Sequence, residues 1–222
     1  MVRSRPDVNV QLPAASVPVF PLGGLYLFPH QVLPLHIFEP RYRQLVEDLL
    51  DGPGRLVIAT PRRGEREQRG QPPALQPVAG FGEILRHEKL PDGRFMVWLV
   101  GLCRVHIDEV PSDRLYRQVT VAPFAEIDAE PTEREALQLA VREATSRRLQ
   151  QPLPLPDGAP LSLLADLLLQ TIDASPRVLE RAFAEPDVAV RARYVLRAAK
   201  RAAPPDPADG GAPGEPGEPG DE

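Results

Sequence analysis

The chain has 222 residues, 42% of them hydrophobic and 26% charged, which suits a globular protein of one large or two small domains and excludes collagen-like, wholly disordered and membrane-embedded classes. The formal net charge of −5 is unevenly placed: residues 203–222 hold six acids and no Lys or Arg, leaving 26 basic against 25 acidic side chains elsewhere, net +1. A body so close to neutral has no field strong enough to gather nucleic acid non-specifically. The 28 prolines are roughly 2.5 times the usual share and predict many turns, edge strands and an unstructured segment. One cysteine, Cys103, rules out an internal disulfide, and no apolar run follows Arg3 and Arg5 to make a signal peptide, so the expected compartment is the cytoplasm.

Ten of the twelve aromatic residues lie between Phe20 and Phe124, which predicts a β-rich first part and a helical second part. Val17–Leu22 and Val32–Phe38 read as strands, the second placed at an edge or bulge by Pro34. Pro40 opens a helix with Tyr42, Leu45, Val46 and Leu49 at helical spacing, stopped by Asp51-Gly52-Pro53-Gly54. Arg55–Thr60 is a third strand, and Pro61–Pro77 an Arg-rich loop. Gly82–Leu90 and Arg94–Val100 flank Pro91-Asp92-Gly93, a strong hairpin signal. Gly101 interrupts the long stretch Phe95–Val110 as at a barrel corner, and Arg117–Phe124 is the last strand.

The period then changes. Thr132-x-x-Glu135 has capping-box spacing ahead of Leu137, Ala140, Val141 and Ala144. Leu161–Thr171 is apolar except for a stripe of Ser162, Asp166 and Gln170, so that helix is expected to be buried on most of its circumference. Ser175-Pro176 caps a third helix through Phe183. Asp187 caps a fourth, with Val188, Ala192, Val195 and Ala199 inward and Arg191, Arg193, Arg197, Lys200 and Arg201 mostly outward. The expected division is a flexible 1–15, a β lobe over 16–126, a helical bundle over 127–202, and a disordered acidic tail over 203–222.

Catalytic patterns are missing from the sequence. It has no Gly-x-x-x-x-Gly-Lys-Ser/Thr, no Gly-x-Ser-x-Gly and no His-Glu-x-x-His. Gly80-x-Gly82 lacks the third glycine of a dinucleotide fingerprint. Neither Lys89 nor Lys200 sits where a Ser–Lys dyad would need it desolvated. His30, His36, His87 and His106 lack the spacing of a zinc site, and Cys103 reads as a small core residue. No cofactor is expected. The run Arg62, Arg63, Arg66, Arg69 is interleaved with Glu65 and Glu67 and reads as a solvated loop.

The order Val17-Pro-Val-Phe-Pro-Leu22, Phe28-Pro29, Leu33-Pro-Leu-His-Ile-Phe-Glu-Pro-Arg-Tyr42, Gly82-Glu-Ile-Leu85, Leu90-Pro-Asp-Gly-Arg94, Val100-Gly-Leu-Cys-Arg-Val105 and Asp187-Val-x-x-Arg191-x-Arg193-Tyr194 resembles the N-terminal, substrate-binding domain of Lon proteases, in particular its stand-alone versions. The resemblance covers about residues 16–202. It implies an α+β fold: a β-rich, PUA-like pseudo-barrel lobe followed by a helical bundle. It also implies a non-catalytic module, without the ATPase and Ser–Lys peptidase parts of Lon, that binds unfolded or extended polypeptide or a partner protein, a protease among the candidates. An RNA- or nucleotide-binding module is the alternative that the PUA-like shape suggests, although the near-neutral body counts against nucleic acid. No membrane partner is implied. The family often has Gly-Met after Phe-Pro, where this chain has His30-Gln31. Leu25, Tyr26 and Phe28 stand in a loop where polar residues are usual. They read either as a plug of the barrel end or as packing on the helix Pro40–Leu50, or else as an exposed patch that holds polypeptide.

Overall fold

The computed structural model describes residues 10–64 and 72–202. Among them six strands and five helices follow in the order β1 (Val17–Pro21), β2 (Val32–Ile37), α1 (Pro40–Leu50), β3 (Arg55–Ala59), β4 (Val78–Lys89), β5 (Phe95–Val110), β6 (Gln118–Pro123), α2 (Pro131–Leu149), α3 (Leu161–Gln170), α4 (Pro176–Phe183) and α5 (Val188–Arg201). The fold is α+β, as expected. The readings placed on residues 1–9, on Arg66 and Arg69, and on the acidic tail lie outside the described residues.

The sheet is mixed. β1 runs parallel to β3 and antiparallel to β6, while β3, β4 and β5 are antiparallel in turn. The first half of β5 pairs with β2, Phe95 opposite Ile37 through Val100 opposite Val32, and the second half with β6, Val105 opposite Pro123 through Val110 opposite Gln118. The pairing of β5 with β6 closes the sheet into a ring of β1, β3, β4, β5 and β6, with β2 as an added edge. Pro34 sits on that edge strand, where a missing N–H is tolerated. At the point where β5 exchanges partners, the register passes from Gly82 opposite Gly101 to Phe81 opposite Cys103, leaving Leu102 as an extra residue. Such a bulge bends the strand and lets it serve two neighbours. In the hairpin, Gly93 has φ of +82° and Leu90 N–H donates to Arg94 O at 2.8 Å, the turn that Pro91-Asp92-Gly93 predicts.

Helix α1 lays Tyr42, Leu45, Val46 and Leu49 against Phe20, Leu56, Ile58 and Phe95. Each side chain of that kind contributes about 1.5–3 kcal/mol on full burial, which is why the periodic apolar face, not the helix propensity, holds this crossover in place. In the bundle, α2, α3 and α5 pack against one another, and α3 buries Leu161, Leu164, Ala165, Leu168 and Leu169. The two lobes are sewn by Ile127, whose N–H donates to Pro186 O at 2.9 Å and whose carbonyl accepts from Val188 N at 3.0 Å. No helix among the described residues is long and apolar enough to cross a membrane.

Four local expectations change. Helix α2 begins at Pro131 with Glu130 as N-cap and no side-chain cap bond; Pro131 takes the first helical position and moves Thr132 inside the turn, so the capping box does not form. Asp187 does cap α5, accepting from Val190 N at 2.9 Å. Arg191, expected outward, is fully buried, and Asp166 of the supposed polar stripe is 2% exposed. Cys103 is only partly buried against the barrel core.

Candidate functional site

The loop between β1 and β2 enters the ring. A Cβ on Gly101 would lie 2.0 Å from Phe28 O, one on Gly80 2.3 Å from Leu27 O, and one on Gly82 2.7 Å from Leu27 Cδ2. These three glycines make a trough without side chains in which the backbone of Leu27 and Phe28 rests. The loop is held there by His30 N–H to Gly101 O at 2.8 Å, Gly101 N–H to Gln31 O at 2.9 Å, and Thr60 Oγ to Leu25 O at 2.6 Å. His30 adopts φ of +65°, a left-handed conformation that His is among the side chains to tolerate. Gln31 turns its amide oxygen back to accept from Phe28 N at 3.0 Å.

Of the three loop residues singled out in the sequence, Leu25 is half-buried on the barrel core, while Tyr26 and Phe28 are buried and belong to the core of the helical bundle. The exposed-patch reading therefore does not describe Phe28. Both rings meet Phe183 at the end of α4, Tyr26 at a centroid distance of 4.9 Å and Phe28 at 5.2 Å edge-on. The plug thus works outward: it seats in the barrel and offers its aromatic side to the bundle.

Beside those rings lies a buried ionic network. Arg104 of β5 donates to Asp166 of α3 at 2.7 Å, to Glu126 of the linker at 3.3 Å and to Phe183 O at 3.0 Å. Arg191 of α5 pairs with the same Glu126 oxygen at 2.5 Å. The Arg104 guanidinium also lies 4.8 Å from the Phe183 ring centroid, a cation–π contact in a dry place. Two guanidinium groups against two carboxylates leave the cluster neutral, which is what permits its burial. Burial still pushes the Glu126 carboxyl above the ordinary carboxylate range, more than Arg191 and Arg104 pull it down.

Above Tyr26 and Phe183 the lobes part into an open cleft of about 730 Å³. Gln76, Pro77, Val78, Arg62 and Arg63 form the β-lobe wall, and Arg177, Glu180, Arg181, Ala184 and Tyr194 the helical wall. Burial raises the Tyr26 phenol above its ordinary value; Glu180 adds to the rise, and a hydrogen bond with Thr60 and the charge of Arg63 oppose it. Hence Glu180 and Arg63 both act on the phenol at the cleft floor. Arg181 lies over the Tyr194 ring at 4.7 Å. Among the described residues no group of three or more His, Cys, Asp or Glu is placed to hold a metal ion.

The profile of the ATP-dependent protease La (LON) substrate-binding domain matches residues 16–201. The chain belongs to this family. It is 25% identical over 190 residues to a Lon protease of Desulfosudis oleivorans, covering 82% of this chain and 23% of that protein. A Lon protease 2 of Sorangium cellulosum is 31% identical over 132 residues, 60% of this chain and 16% of that one. The chain therefore spans less than a quarter of the length of these relatives. Among solved structures, the N-terminal domain of a Mycobacterium avium complex Lon protease superposes with a TM-score of 0.63 at 17% identity, covering 84% of this chain and 99% of that one. A Lon N-terminal domain protein of Xanthomonas campestris gives 0.61 at 19% identity, covering 82% and 98%.

Within this Lon-type domain the sequence motifs acquire physical roles. Gly101 and Arg104 of Val100–Val105 supply the trough and the network; Asp187, Arg191 and Tyr194 supply a cap, an ion pair and a cleft wall. Arg104, Glu126, Asp166 and Arg191 form a unit that no sequence motif joins. The available signal was a charged residue inside an otherwise apolar helix face, as at Asp166, but periodicity does not say which charge answers it.

Proposed function

We propose that this chain is a non-catalytic polypeptide-binding module, an adaptor or quality-control factor that holds unfolded or extended polypeptide, or a partner protein such as a protease, in the cleft between its lobes. The observation that supports this is the coincidence of a substrate-binding domain of a protease family with an open cleft floored by Tyr26 and Phe183. A protease's substrate is polypeptide, and a partly apolar concave surface with a few polar groups suits an extended chain. Of the three loop residues, Tyr26 is the one to contact the bound chain, with Leu25 and Phe28 supporting it from the barrel and bundle sides.

Fluorescence anisotropy with a reduced, alkylated and therefore unfolded test protein examines the reading, its folded form serving as control. Ala184 is exposed, lines the cleft and ends α4 with φ of −88°, so Ala184→Trp fills the groove without entering the core. Binding of the unfolded form that falls at least about tenfold in Ala184→Trp, at unchanged melting temperature, supports the reading (about 1.4 kcal/mol per tenfold). Equal binding by the two proteins places polypeptide elsewhere and sinks the assignment.

A further inference from the structure

We infer that the cleft selects acidic segments of polypeptide, taking Asp or Glu carboxylates on Arg63, Arg177 and Arg181 while the floor receives a neighbouring apolar side chain; this rests on the polypeptide-binding reading above and names its substrate class. The lining holds four arginines against one acid, Glu180, in a body whose charges otherwise nearly balance. Arg55, Arg117 and Arg134 are each ion-paired, to Glu83, Glu109 and Asp128, whereas among the described residues no ion pair joins Arg63, Arg177 or Arg181 to a carboxylate. Arg177 and Arg181 stand four residues apart on α4, hence one turn apart on one face. Opposite them Arg62 is oriented by donating its Nε–H to Leu75 O at 3.1 Å.

A guanidinium group donates two parallel hydrogen bonds to a carboxylate, a geometry that a point-charge ammonium does not offer. Phosphate is recognised by the same groups, but a polyanion needs a track of positive charge. Here an acid, Glu180, sits inside the cleft, and the floor is aromatic and aliphatic. That combination fits a chain in which acidic and apolar side chains alternate.

The test uses the full chain and three fluorescent peptides of equal length, in which Leu and Phe alternate with Glu, with Gln or with Lys, together with an RNA oligonucleotide of similar length. The Glu peptide is expected to bind about tenfold more tightly than the Gln peptide, and the Lys peptide most weakly. Arg177→Gln combined with Arg181→Gln should bring the Glu peptide's affinity close to the Gln peptide's and leave the melting temperature unchanged, because both side chains are exposed. Raising salt should erode the same preference. Equal binding of Glu and Gln peptides overturns the charge selection while leaving polypeptide binding intact. Failure of every peptide to bind sinks both readings. RNA binding that exceeds that of the Glu peptide, and is lost in the double variant, assigns the arginines to phosphate instead.

Discussion

Arginine meets two fates where the lobes join. Arg104 and Arg191 are buried against Glu126 and Asp166, and their charges are fully answered inside the protein. A few side chains away, Arg63, Arg177 and Arg181 stand around an open cleft. Phe183 belongs to both places, stacking under Arg104 and flooring the cleft. The contrast separates the roles: a desolvated guanidinium must have a built-in partner and so holds the lobes together, while a solvated one can await an external anion. The seam is structural because it is closed, and the cleft is available because it is not.

Dividing the chain is the harshest way to break the comparison. Separate pieces covering 16–126 and 127–202 would each expose half of the seam: Tyr26, Phe28 and Arg104 on one, Phe183, Asp166 and Arg191 on the other. Each is expected to aggregate or to melt far below the whole chain. Two soluble, monomeric pieces as heat-stable as the parent would show the lobes to be independent.

Asp166→Ala comes next. It leaves Arg104 without its shortest carboxylate contact and the cluster with excess buried positive charge, at a cost of about 3–5 kcal/mol. Urea unfolding measures it, and a loss below about 1 kcal/mol would mean that water or relaxation supplies a substitute. Arg177→Ala, in the cleft, should change stability by less than about 0.5 kcal/mol.

Gly101→Ala tests the plug. Its Cβ would meet Phe28 O at 2.0 Å, backbone against side chain in a tight place, so a destabilisation of about 1–3 kcal/mol or more is expected. Gly23→Ala is the matched control, since nothing lies within 4 Å of the added carbon. If the two variants unfold alike, the loop does not rest in the trough.

The smallest effect is a pH dependence far from the seam. Tyr116 Oη donates to Asp48 of α1 at 2.7 Å, and burial first, then that carboxylate, raises the phenol to about 12. The folded state keeps this proton above pH 10, where the unfolded chain begins to lose it. Stability from this group is therefore present below pH 10 and declines as pH rises through the folded value. Tyr116→Phe should flatten that decline, measured by urea midpoints at a series of alkaline pH values. An identical slope in both proteins would show that Tyr116 ionises normally.

What was legible in the sequence follows from local rules. Alternation, the Pro91-Asp92-Gly93 turn, Pro40 at a helix start and Asp187 as a cap are decided by residues within a turn or a strand of one another, so the elements and the α+β class could be read directly. Gly101 was readable as a corner because a missing side chain in a long strand signals a bend. Its second purpose, admitting Phe28, was not, since close approach depends on which distant segment arrives. The same holds for the charges. Arg191 and Arg193 look alike along the helix, yet one is buried on Glu126 and the other pairs with Glu133 nearer the surface. Only the docking of α3, α5 and the linker onto β5 decided that difference, because burial of a charge is stable only where the opposite charge is delivered from another part of the chain. The cleft is likewise a property of two lobes meeting, and its arginines come from segments more than a hundred residues apart. Sequence by itself determined the elements and the family; the tertiary structure decided which of its many arginines are closed and which are open.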